Sequence, residues 1–311
     1  MKTFEIITDG SCDLNKKLVN EYDIKVVNFS VTFDKEKIYK ENEDITADEF
    51  YKTMLNNPNN YPSSSCPSPL EYYDVFLKSV LNKTPILCIC ITSKFSGSYS
   101  AACVAKNMIL EEYKDAIIEV IDSRVNTVLQ GLFVLEAARM RENGHSYLET
   151  CQMVKNTFGS RIFFTVSNLK YLQHGGRIGK LSALLGNILQ INPLIVLKHG
   201  EIYSGGFAIK RKRALVSILN KIETYFEKYS YSFSDYRFVV GYGHDIEEGK
   251  KLKEMIDKRF NVNCELSQIG ATIAVHTGPE PLGVAFVRKF DHQLQNEAAK
   301  VKCNNNFQMT L

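Results

Sequence analysis

The 311-residue chain has no Cys-x-x-Cys pair and no two histidines at zinc-ligand spacing. A structural metal or a redox dithiol is therefore not expected. No apolar run approaches the roughly 20 residues that a membrane span requires. Met1-Lys2-Thr3-Phe4-Glu5 carries no signal-peptide apolar region and leads directly into a strand, so a cytoplasmic location is expected. The net charge of +3 comes without a basic stripe interleaved with aromatics, which argues against a nucleic-acid partner. Familiar enzyme loops are missing too. Gly179-Lys180 is followed by Leu181, so there is no phosphate-cradling Walker loop. No serine sits in Gly-x-Ser-x-Gly, and Gly241-Tyr242-Gly243 lacks the third glycine of a dinucleotide fingerprint, position 246 being Ile. No cofactor is expected.

Eight cysteines are present, yet Cys88 and Cys90 lie inside Ile-Leu-Cys-Ile-Cys-Ile and read as small buried hydrophobes. Reduced thiols fit this placement. The first half alternates strand-like runs (4–7, 25–31, 86–91, 117–121) with helical patterns at 15–22, 47–55, 69–81, 99–112 and 128–142. Such alternation predicts α/β architecture with a parallel sheet. The second half reads as α+β with antiparallel pairing. A helix at 146–156 leads to a strand at 162–166, and strands at 194–197 and 201–203 flank a His199-Gly200 hairpin turn. Helices at 214–228 and 246–259 and strands at 237–241, 264–268, 271–275 and 284–288 complete it. The expected domains are 1–160 and 161–290, followed by a polar tail, 291–311.

Four segments could carry chemistry. Thr92-Ser93-Lys94-Phe95-Ser96-Gly97-Ser98-Tyr99 joins a buried strand to a helix start, a place where unpaired N–H groups and hydroxyls can seat an anion. It reads equally well as a plain helix cap. Ser63-Ser64-Ser65-Cys66-Pro67-Ser68-Pro69 is a second hydroxyl cluster, held extended by its prolines until Pro69 opens a helix. Gly175-Gly176 gives the backbone freedom beside Arg177, and Leu181, Leu184, Leu185, Ile188 and Leu189 follow at helical spacing. That stripe is core or the wall of an apolar tunnel. Finally, a strand at 271–275 would deliver His276 into the turn Thr277-Gly278-Pro279. Three strand ends, at Thr8-Asp9-Gly10-Ser11, Thr92-Ser93 and Asp122-Ser123, also finish in small polar residues. Ligands of open α/β sheets collect at such ends. Hydroxyls, one histidine and one arginine suit holding an anion better than breaking a bond.

Taken together and in this order, these motifs resemble the DegV family of bacterial fatty-acid-binding proteins, whose members include the acyl-carrying B subunits of bacterial fatty acid kinase. The resemblance covers residues 3 to 290 and includes Thr8-Asp9-Gly10-Ser11-Cys12-Asp13-Leu14. It implies a Rossmann-like first domain packed on a smaller α+β domain with a mixed sheet, and one long-chain fatty acid buried between them. The carboxylate would be held by Ser64 and Ser93, with Ser65, Ser96, Gly97, His276 and Thr277 completing the polar end. Arg177 would sit near the head group, with Arg211 and Arg213 facing a separate kinase catalytic subunit that delivers phosphate. Leu181, Leu184, Leu185, Ile188 and Leu189 would line the acyl tunnel. Membrane contact would be transient at most. Two departures concern partner docking: Phe207-Ala208-Ile209 replaces a basic pattern before Lys210-Arg211-Lys212-Arg213, and Glu280 stands where the family has glycine. Rival readings are a lipid-responsive regulator and a stand-alone acyl or phosphoryl transferase using Ser93 and His276.

Overall fold

The computed structural model describes residues 3–34, 36–156, 159–184 and 191–291. The apolar β-branched runs of the first half form a four-stranded, wholly parallel sheet. Its order is Ile24–Val27, Glu5–Asp9, Ile86–Cys90, Ile118–Asp122. Glu5–Asp9 and Ile86–Cys90 are buried along their whole length, as a sheet covered on both faces requires. Alternate side chains of these strands enter different cores. Ile7, Cys88 and Cys90 pack with Tyr72, Phe76, Ala102 and Ala105 of the helices Pro69–Leu81 and Ser98–Glu112. Ile6, Leu87 and Ile89 pack with Val134, Leu135 and Ala138 of the helix Thr127–Glu142.

The second large sheet has six strands in the order Glu201–Ala208, Asn192–Lys198, Arg161–Thr165, Leu282–Arg288, Tyr236–Tyr242, Glu265–Gln268. Only the last pair is parallel. Phe163, Phe238, Val240 and Phe286 face the amphipathic helices Arg211–Tyr229 and Ile246–Phe260. On the other face, Ile162, Val239, Ala285 and Val287 meet Val128, Leu129, Leu132 and Phe133. Thr127–Glu142 thus lies between the two sheets and is buried nearly all round for that reason. The His199-Gly200 hairpin forms as expected. Both turn residues have positive φ, 54° and 80°, the geometry that a tight hairpin demands.

Two expectations fail. The run 25–31 is not one strand: Ile24–Val27 stays in the parallel sheet, while Ser30–Thr32 pairs with Tyr39–Lys40 and Ser63–Ser65 in a separate three-stranded sheet. Residues 271–275 are not a strand but part of the helix Ala271–Thr277. A short apolar run has no period that distinguishes the two states. Here buried carboxylates take up the N–H groups of its first turn, which favours the helix. No helix among the described residues is long and apolar enough to cross a membrane.

The end of the first strand is fixed by Asp9. Its buried carboxylate accepts from the Ile91 N–H at 2.9 Å, Ser98 Oγ at 2.7 Å, Gln130 Nε2 at 2.9 Å and Ser11 Oγ at 2.5 Å. Burial raises its pKa despite these donors. Asp9→Ala would leave several buried donors unpaired, at about 1–3 kcal/mol each. We expect it to lower the unfolding free energy by about 3 kcal/mol, seen as a shifted urea midpoint; an unchanged midpoint would contradict this role.

Candidate functional site

A cavity of about 290 Å³ opens between the two large sheets, beside Ile91 where the strand Ile86–Cys90 ends. Its polar side is built on the helix Ala271–Thr277. Asp13 accepts from the Gly270 N–H at 2.9 Å and Glu41 from the Thr272 N–H at 3.2 Å. Negative charge at a helix start is favourable, so two buried acids anchor this end and set where the other end points. That other end carries His276. Pairing of Ser63–Ser65 with Ser30–Thr32 brings Ser64 across from it, with Ser64 Oγ 3.2 Å from His276 Nε2. The imidazole lies against Gly175, where an added Cβ would fall 2.0 Å from Nδ1. Glycine is needed there because the ring occupies the space. His276 Nδ1 is buried with no hydrogen-bond partner among the described residues. Burial, aided by the Arg177 guanidinium, pushes the imidazole down from its ordinary 6.5 to about 4. The ring is neutral at physiological pH.

Arg177 itself is exposed at the cavity mouth, its Nε donating to the Phe95 carbonyl at 2.9 Å and Nη1 to the Gly175 carbonyl at 2.6 Å. These two bonds hold the guanidinium where a long, flexible side chain would otherwise swing. Ser65, Ser96, Gly97 and Thr277 also line the cavity. Ser96 Oγ accepts from the Ser98 N–H at 3.2 Å, so it serves the helix start and the cavity together. Thr277 Oγ1 donates to the Ile273 carbonyl at 3.1 Å, which leaves its lone pairs to act as acceptors.

Other nominated residues lie elsewhere. Ser93 is exposed and bonded to Asp122, through its N–H at 3.2 Å and Oγ at 2.6 Å, and is not among the cavity-lining residues. The carboxylate at the end of the neighbouring strand captures this hydroxyl. Arg211 grips Glu248 with two 2.8 Å bonds and donates to the Glu280 carbonyl, away from the cavity. Arg213 is exposed on the helix Arg211–Tyr229. Leu181 is fully buried in the core with Leu172 and Ile202 but does not line the cavity. Leu184 ends the short helix Gly179–Leu184, while Leu185, Ile188 and Leu189 fall outside the described residues. The apolar wall comes instead from Phe29, Ile91, Phe95, Phe164, Leu172, Ile202 and Ile273, and Asn126 and Thr272 add further polar groups. These residues come from separate elements, so no sequence spacing marks them as a set.

The arrangement is an apolar chamber with neutral donors and one pinned guanidinium at its polar side. A solved structure described as a fat acid (stearic acid)-binding protein from Eubacterium ventriosum has 38% sequence identity and a TM-score of 0.89, covering 93% of this chain and 99% of that one. A fatty-acid-binding DegV family protein from Thermus thermophilus has 25% identity and a TM-score of 0.81, covering 93% and 100%. A DegV domain-containing protein of Clostridium acetobutylicum is 35% identical over 284 residues, 91% of this chain and 96% of its own. The family model described as "Uncharacterised protein, DegV family" matches residues 3–289. With fold and relatives in agreement, this chain belongs to the DegV family.

Proposed function

We propose that the protein binds one long-chain fatty acid in this cavity and presents it to a separate fatty acid kinase catalytic subunit, which converts it to acyl phosphate. The observation that carries the reading is the Ser64–His276 pair at the polar side of an otherwise apolar chamber. The fatty-acid-binding relatives support the ligand class. Burying an acyl chain of about 16 carbons at ~0.8 kcal/mol per methylene contributes roughly 10 kcal/mol before binding costs are subtracted. The chain supplies the affinity, and the polar groups need only orient the head.

A neutral His276 donating from Nε2 to Ser64 Oγ frees the Ser64 proton for the carboxylate. This tautomer also leaves the unpartnered Nδ1 as a bare acceptor rather than a stranded N–H. Ser65, Ser96 and the Gly97 N–H would complete the seat. Neutral donors hold a carboxylate without a tight ion pair, so the head stays available to a phosphoryl donor, and Arg177 at the mouth would offset the added charge. The pairing of Ser93 with His276 that a transferase reading would use is not supported, because Ser93 is bonded to Asp122 and is not among the cavity-lining residues.

Solvent extraction of the purified protein followed by mass spectrometry should release a long-chain fatty acid; extracts without acyl lipid, together with no binding of added stearate, would overturn the reading. Incubation with ATP and fatty acid should yield acyl phosphate only when a fatty acid kinase catalytic subunit is added. Ser64→Ala removes a hydrogen bond to a charged group and should weaken fatty-acid affinity about tenfold in titration calorimetry. The His276 shift also predicts a pH dependence. Its folded pKa lies below its unfolded value, so as pH falls the unfolded chain takes up the proton first. Stability from the neutral ring is complete above about pH 6.5 and is lost between there and about pH 4, roughly 3 kcal/mol in all. The difference in unfolding free energy between wild type and His276→Gln should change by that amount between pH 7 and pH 4.

A further inference from the structure

Asn126 lines the cavity but takes no part in the head-group seat. It precedes the helix Thr127–Glu142 in extended backbone, φ −151° and ψ 177°, where asparagine ordinarily caps the helix. Its side chain makes no capping bond and no other hydrogen bond among the described residues. The next residue is strained: Thr127 has φ 50°, a region that β-branched side chains avoid. The strain is held by Thr127 Oγ1 donating to Asp13 Oδ2 at 2.5 Å, on the same carboxylate that accepts from Gly270. The chain thus gives up a helix cap and adopts a costly backbone, with the outcome that a carboxamide faces an apolar chamber.

Thr272 also lines the cavity, from the first turn of the helix Ala271–Thr277. Its Oγ1 donates to Glu41 Oε2 at 2.5 Å, so its proton is committed and its remaining lone pairs can only accept. His276 follows four residues later, about 6 Å along the helix axis. The cavity therefore has polar groups beyond the head-group seat at the end of this helix: Thr272, bonded to Glu41 at its beginning, and Asn126, whose neighbour Thr127 is bonded to Asp13. An amide pressed against plain methylenes loses its water with no return. A hydroxyl on the acyl chain would accept from the Asn126 Nδ2 group and donate to Thr272 Oγ1 or Asn126 Oδ1. A keto oxygen could use only the donor.

We propose that Asn126 and Thr272 form a second hydrogen-bonding site within the cavity, and that the preferred ligand is a fatty acid bearing a hydroxyl along its chain. This rests on the fatty-acid reading above. The test is titration of the delipidated full-length protein with stearic acid, positional isomers of hydroxystearic acid and the matching oxostearic acids. At least one hydroxy isomer should bind about three- to tenfold tighter than stearate, the worth of one hydrogen bond, and tighter than its oxo counterpart. In Asn126→Leu the ratio of hydroxystearate to stearate affinity should fall to about one. Because the readout is a ratio, it holds whatever the variant does to overall affinity. If that variant does not fold, the wild-type isomer series decides alone. Stearate binding with no hydroxy isomer ahead of it would overturn this inference and leave the fatty-acid reading standing. Failure of every acid to bind would overturn both.

Discussion

Two carboxylates from the first 41 residues, Asp13 and Glu41, accept hydrogen bonds from the first turn of a helix 257 and 231 positions further along the chain. The placing of His276 depends on this long-range anchor. Both acids are buried and repel one another, and burial raises the pKa of each. The helix start and the hydroxyls of Thr127 and Thr272 are what make the arrangement tolerable. Because a helix is stiff, fixing its first turn also fixes His276 at its last. The imidazole is then trapped between Ser64 and the backbone of Gly175. Its burial there yields a neutral ring.

Neutrality is the chemical theme of the site. The single formal charge at the mouth, Arg177, is exposed and tied to two main-chain carbonyls rather than to a carboxylate. Its field is therefore not cancelled by a carboxylate partner. Deeper in, the walls are aromatic and branched aliphatic side chains contributed by the mixed sheet, by two short helices and by the loops that follow strands of the parallel sheet. Affinity and orientation are thus divided between different parts of the chain.

Much of this was legible from residue order. The parallel sheet follows from short β-branched runs separated by amphipathic helices. Part of the cavity lining stands out in the sequence, as hydroxyls at 64, 65 and 96 and a histidine beside a Gly-Pro turn, because small polar residues at strand ends are unusual enough to notice. Ser93 lies outside the cavity lining, and spacing does not reveal this, since it shows which hydroxyls are near a turn but not which neighbour captures them. Asp122, on an adjacent strand, does so here. The stretch Ala271–Thr277 was misread because its helical state depends on acids more than 200 residues away. The cavity wall was invisible for a similar reason: Phe29, Phe95, Phe164 and Ile273 share no element. Asn126 gave no signal at all, as an asparagine before a helix looks like an ordinary cap.

The helix Thr127–Glu142 belongs to two cores at once, packing Val134 and Leu135 toward the parallel sheet and Leu129 and Phe133 toward the mixed one. Neither half of the chain can complete its own interior without it. The two halves are therefore coupled as a single cooperative unit, and severing the chain after this helix would strip the later strands of their inner lining.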